Sequence, residues 1–275
     1  MGEPRVAILP VLGASVRRAL YETGSELTPT LMQLVGLAMG LLSQAYLGKL
    51  VDSAPNAQLG SYAGHFATFL LLGTAMLDLQ NAIVGGLGQK IRQAQLQGSL
   101  EGLLATPTPP SLVLLALALP DVLLALGRMV IYAIAGRLVF GLRFQTVNPL
   151  GVLVMLAAAM AAFGVVALIG ASLTMLLRRA DPLNVLIAAA SMLAGGVFYP
   201  RGILPHWAGL LGTFLPIAPV LDGLREAVVH SAGPMQLGEP LLRLGVMVLL
   251  VGPMAAWLFG RMLARARIDG SLTSY

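Results

Sequence analysis

The stretch NPLGVLVMLAAAMAAFGVVALIGASLTMLL, residues 148–177, contains no charged side chain. A bilayer-crossing helix needs about 20 mainly apolar residues, because the hydrocarbon core is roughly 30 Å thick and each helical residue rises about 1.5 Å. This stretch exceeds that requirement, and it decides the fold class: an all-α integral membrane protein. The composition agrees. Of 275 residues, 57% are hydrophobic and only 11% are charged, with a mean hydropathy of +0.84, whereas soluble domains carry roughly a quarter charged residues.

Working outward, five more segments have the character of spans. Residues 28–48 carry no charge, and residues 66–87 carry only Asp78. Residues 119–142 hold Asp121, Arg128 and Arg137; residues 183–199 are short but uncharged, and residues 244–263 contain Arg261 near their end. Six spans of this length leave no room for a second globular domain, so residues 1–275 read as a single transmembrane domain. Basic residues of short loops stay on the cytoplasmic side. With the N-terminus inside, that side holds Arg5, Arg17, Arg18, Lys90, Arg92, Arg178, Arg179, Arg261, Arg265 and Arg267. Only Lys49, Arg143, Arg201, Arg225 and Arg243 fall outside, which predicts N-in/C-in topology.

Other classes are disfavoured by what the residues lack. The net charge is +5, but no basic stripe with interleaved aromatics follows a phosphate backbone, so no nucleic-acid partner is expected. Cysteine is absent, which removes disulfides, thiolate metal sites and cysteine nucleophiles. His65, His206 and His230 have no metal-ligand spacing. The opening residues, MGEPRVAILPVLG, have too weak a basic start for a cleaved signal peptide, and Val6 breaks the myristoylation pattern.

Three segments are not plain spans. Residues 11–24 place Leu12, Val16, Ala19 and Leu20 at helical spacing beside Arg17, Arg18 and Glu22, as expected of an amphipathic helix at the cytoplasmic interface. The loop after span two starts polar and basic, passes Gly98, and shows an apolar stripe at Leu96, Leu100, Leu103 and Leu104 before prolines that cannot continue a helix. A short helix of this kind suits docking into a groove on a soluble partner. Residues 200–230 are apolar, yet Pro200, Pro205, Pro216 and Pro219 break them too often for one straight span. Broken helix at membrane depth is tolerated where protein buries it or where it lines a cavity, so a pair of re-entrant helices in the outer leaflet is expected.

Together these segments resemble the membrane subunits of type 2 ATP-binding-cassette exporters, the permeases of bacterial drug, lipid and polysaccharide efflux. The loop after span two in that family reads like Gly-Thr-Leu-Glu-x-Leu-Leu-x-Thr-Pro; here it is Gly98-Ser99-Leu100-Glu101-Gly102-Leu103-Leu104-Ala105-Thr106-Pro107. After span five the family shows Gly-x-Phe-x-Pro, Leu-Pro-x-Trp, Leu-Pro and Leu-Arg. This chain has Gly196-Val197-Phe198-Tyr199-Pro200, Leu204-Pro205-His206-Trp207, Leu215-Pro216 and Leu224-Arg225. A glutamine-rich run before Gly98 departs from the family's mix of acidic and basic residues.

The resemblance implies that residues 98–107 form a coupling helix seated in a soluble ATPase subunit. Gly98 would permit the turn, Glu101 would face basic groups, Leu100, Leu103 and Leu104 would fill the groove, and Thr106 and Pro107 would end it. It also implies a second copy of the chain, or a similar permease, completing the pore in the bacterial inner membrane. No G-x-x-x-x-G-K-[ST] phosphate loop is present, so ATP and magnesium are expected on the partner and no cofactor on this chain. The chain would then be a transport subunit rather than an enzyme, its substrate a small amphipathic or lipid-linked compound.

Charges inside spans complete the reading. Asp78 and Arg128 lie at matching depths, and an unpaired charge in lipid costs several kcal/mol, so an Asp78–Arg128 ion pair is expected, with Asp121 the competing partner. A clamp between two helices is the first reading of this pair and a polar lining of the export path the second. Gly36 and Gly40 on span one would allow close helix approach. Tyr199 and Trp207 read as outer-interface anchors, and Phe198, Tyr199, Ile203 and Trp207 as a candidate substrate gate. Met129, Met155, Met160 and Met175 read as packing. An ion- or proton-driven transporter would need acidic residues around a midplane cavity and broken helices in two repeat halves. Here Asp78 and one broken region are found. A phosphatidyltransferase would need further aspartates beside Asp222 to hold metals.

Overall fold

The computed structural model describes residues 13, 14, 17, 27–53, 66–97, 110–140, 147–177 and 182–268. Among them every regular element is helical: α1 (Leu27–Ser53), α2 (Phe66–Leu96), α3 (Pro110–Phe140), α4 (Pro149–Leu177), α5 (Pro182–Ala194), a 3₁₀ turn (Arg201–Ile203), α6 (His206–Phe214), α7 (Ile217–Val229) and α8 (Gly238–Ile268). Several start at a proline, the residue whose fixed φ and missing N–H suit the first helical position.

Among the described residues four helices are long and apolar enough to cross a membrane: α2, α3 from Leu115 to Leu138, α4, and α8 from Gly238 to Arg265. The apolar parts of α1 and α5, Val35–Val51 and Leu183–Ala194, are shorter. The fifth expected span, residues 183–199, is a shorter helix than expected. Its helix stops at Ala194, and residues 195–199 bend away because Gly195 and Gly196 follow, the latter at φ +77° where a side chain is strained. Other expected boundaries move outward: α2 continues to Leu96 and α3 begins at Pro110, running through Pro120. The expected interface helix at 11–24 is helical at the described residues 13, 14 and 17 and otherwise lies outside them.

Helix α2 is the centre of the bundle. It packs against α1, α3, α4, α5 and α7, and 72% of its apolar window is buried, against 11% for α8. Met76, Leu79, Val84 and Ile91 of α2 meet Met155, Ala159 and Phe163 of α4 and Leu221 of α7 in one core. Helix α8 closes on α4 and α7 through Leu244, Phe259 and Leu263, while Leu242, Leu249, Leu250 and Met254 are exposed. Leucines facing outward suit acyl chains, which are as apolar as the side chains themselves.

The segment after α5 is the expected broken pair. Helices α6 and α7 are bent by 87° at Leu215 and Pro216. Small residues seat this unit: a Cβ on Gly73 of α2 would strike the Val197 carbonyl, and one on Gly212 of α6 would strike the Ala194 carbonyl.

Candidate functional site

Polar side chains buried between apolar helices mark the candidate site, because each must find a partner in a medium without water. Among the described residues helix α2 carries two that are buried, Thr68 and Gln80. Thr74, Asp78, Asn81 and Lys90 of the same helix are partly buried, and Gln89 is exposed. Near its first turns, Gln44 of α1 donates from Nε2 to Thr74 Oγ1 at 2.6 Å, and that hydroxyl donates to the Leu70 carbonyl at 2.8 Å.

Four residues on, Arg128 of α3 grips Asp78 in the two-point geometry that suits a guanidinium and a carboxylate: Nε to Oδ2 at 2.6 Å and Nη2 to Oδ1 at 3.1 Å. Asp121 does not join them. It lies one helical segment away, with Oδ1 3.8 Å from Lys90 Nζ, and it fits against α2 because Gly86 offers no side chain there. On the opposite side of α2, fully buried Ser191 of α5 donates to Oε1 of fully buried Gln80 at 3.1 Å. Sequence reasoning missed the Lys90–Asp121 and Gln80–Ser191 pairs. The available signal was a polar side chain within each apolar segment, but spacing alone does not say which helices meet.

The broken pair is tied to the first turns of α2 by Arg225. This side chain is 4% exposed; its Nη2 donates to the Gly196 carbonyl at 2.9 Å and the Phe69 carbonyl at 3.3 Å. Its guanidinium also lies 3.5 Å from the centre of the Phe69 ring, a cation–π contact strengthened by desolvation. Phe69 stacks on Phe66 at 5.5 Å, and Phe198 packs against that cluster. Arg201 pairs with Asp222 of α7, a contact no sequence pattern pointed to.

The remaining expected residues separate. Tyr199 is half-buried and donates its hydroxyl to the Leu193 carbonyl at 2.5 Å. Pro200 and Pro205 precede the 3₁₀ turn and α6, and Pro216 is buried at the bend. Ile203 and Trp207 are exposed, so the four suggested gate residues do not share one environment. Met155 is wholly buried beside Gly223. No described residue lies within 4 Å of a Cβ added at Gly36 or Gly40. Gly98, Leu100, Glu101, Leu103, Leu104, Thr106 and Pro107, the expected docking residues, lie outside the described residues. Among the described residues no group of three or more His, Asp or Glu side chains could hold a metal ion.

The described residues form an all-helical bundle around one buried helix, with ion pairs between helices and a sharply bent pair after α5. Residues 28–229, from the first turn of α1 through the end of α7, match the family model described as ABC-2 type transporter. That is more than half of the chain, and the chain belongs to the ABC-2 type transporter family. It is a transmembrane permease, a transport subunit that is not itself catalytic. Among curated proteins none matches it.

Proposed function

We propose that this chain is the membrane subunit of an ATP-driven exporter in the bacterial cell membrane, forming the path while a separate soluble ATP-binding-cassette subunit binds ATP and magnesium. The family match over residues 28–229 is the observation that carries this reading. In the proposed topology α1, α2, α3, α4, α5 and α8 are the six crossings, both termini are cytoplasmic, and α6–α7 dips into the outer leaflet. The permease pairs with a second copy or a similar chain. Its substrate is a small amphipathic or lipid-linked compound.

Helix α2 supplies a mechanical connection. At 31 residues it is about 46 Å long and packed against five other helices. One end leads directly into residues 98–107, the proposed docking helix; the other holds Phe69 and Gly73 against Arg225 and Val197 of the broken region. When ATP closure of the partner moves residues 98–107, α2 carries the displacement to the outer end, where the bent pair shifts. An ion-driven carrier is less well supported, because Asp78 is already engaged by Arg128.

The test is co-purification from the native membrane in mild detergent with identification of stoichiometric companions. A soluble ATPase is expected, and it should be lost from Glu101→Arg and Leu104→Asp variants that still insert in the membrane. A permease that runs alone and transports under an ion gradient without ATP refutes the proposal.

A further inference from the structure

Between α2 and α3 lies a cleft of about 260 Å³ that the transport reading does not use. Asn81, Gln89, Lys90 and Gln93 of α2 line one wall, and Asp121 and Arg128 of α3 the other. From Asn81 to Gln93 this furrow runs about 18 Å along the helix axis. Such a polar furrow open to the side of a membrane helix is costly unless something polar fills it.

Its charges define what fits. Arg128 is neutralised by the two-point contact with Asp78, and Lys90 and Asp121 form a looser ion pair at the mouth. They stand 3.8 Å apart, too far for a hydrogen bond. A group carrying one negative and one positive charge can enter beside them, its anion on Lys90 and the amide N–H groups of Gln89 and Gln93, its cation on Asp121. Asn81 Oδ1, buried and accepting no hydrogen bond from the described residues, offers a second acceptor. A purely anionic group would meet the Asp121 carboxylate, and a quaternary ammonium has no N–H to give. Among the described residues no aromatic ring lines the cleft to hold a quaternary ammonium by its face.

An apolar track leaves the same cleft. Leu124 lines it, and Ile131, Ile134 and Leu138 continue at helical spacing, all exposed, past Gly127, where no described residue lies within 4 Å of an added Cβ. Leu124 to Leu138 covers about 21 Å, more than one leaflet of a roughly 30 Å core. We propose that the α2–α3 cleft binds a membrane phospholipid whose headgroup carries a phosphate and a primary ammonium, with an acyl chain along the α3 track.

The test uses the full-length permease, with whatever subunits co-purify, delipidated in mild detergent. Binding is read by native mass spectrometry and by the shift in melting temperature on adding lipid. Phosphatidylethanolamine is expected to bind and stabilise more than phosphatidylcholine, phosphatidylglycerol, diacylglycerol or inorganic phosphate. Lys90→Gln and Asp121→Asn should each weaken binding roughly tenfold, the loss of one charge-assisted hydrogen bond, while the melting temperature of lipid-free protein stays within a few degrees. Gly127→Trp, which blocks the track without touching the polar wall, should weaken phosphatidylethanolamine binding and leave the fold intact. Equal binding of all phospholipids, or unchanged binding by the Lys90 and Asp121 variants, overturns the proposal. These readouts require no ATPase, so they fail independently of the exporter reading. If a lipid-linked export substrate displaces phosphatidylethanolamine at comparable concentration, the cleft is a cargo site and the membrane-lipid assignment is overturned.

Discussion

At the scale of single residues, Asp78 and Arg128 separate the value of a pair from the cost of half of one. Their side chains are about one-quarter exposed, so most of their hydration is lost. Removing one partner strands a charge, which in buried pairs costs about 3–5 kcal/mol, whereas replacing both with apolar groups of similar size is often neutral. Arg128→Met and Asp78→Leu should therefore each lower the melting temperature of the purified permease, and the double variant should recover most of the loss. Additive single effects would show that the two do not interact. Arg225 depends on shape as well as charge. A lysine keeps the charge but loses the planar face over Phe69, so Arg225→Lys should reduce transport nearly as much as Arg225→Met, measured in vesicles at matched permease levels. Full activity in the lysine variant would reduce the contact to simple charge.

At the scale of elements, helix approach is controlled by absent side chains. Gly73 of α2 faces the Val197 carbonyl directly, so Gly73→Val must push the segment after α5 away from α2. Protease sensitivity at residues 195–205 is the expected readout, with transport lost at the same time. Gly36→Val is the matched control: no described residue lies within 4 Å of an added Cβ there, so the single chain should fold normally. Loss of transport in Gly36→Val with an unchanged protease pattern would place the contact of α1 on a second permease. The polar residues of α2 could be picked out in the sequence, since Asp78, Gln80 and Lys90 interrupt an apolar run. Their partners could be named only in part. Matching depth pointed from Asp78 to Arg128, but the pairing of Gln80 with Ser191 joins positions far apart in the chain, and no periodicity encodes which faces of α2 and α5 meet.

At the scale of the whole molecule, the prediction concerns sidedness. Because the chain contains no cysteine, single introduced cysteines report topology without background. Met235, almost fully exposed between α7 and α8, should react with a membrane-impermeant maleimide in intact cells after Met235→Cys. Gln97→Cys, exposed just beyond α2, should react only once the membrane is opened. Labelling of both from the same side would overturn the proposed arrangement of crossings.

The sequence by itself determined that this is an all-helical membrane protein and where its apolar helices and broken segment lie. Those properties follow from local quantities: the length of an uncharged run, the spacing of apolar residues, and the prolines and glycines that interrupt a helix. Its likeness to ABC-2 permeases was also legible, carried by short contiguous motifs around Gly98 and Pro200. Only the tertiary structure decided that α5 ends at Ala194, that α6 and α7 meet at 87°, that Arg225 lies against Phe69, and that Lys90 faces Asp121 across a cleft. Each depends on which helix faces come together. In a bilayer that choice rests on close packing and on satisfying buried polar groups, interactions between residues distant in the chain.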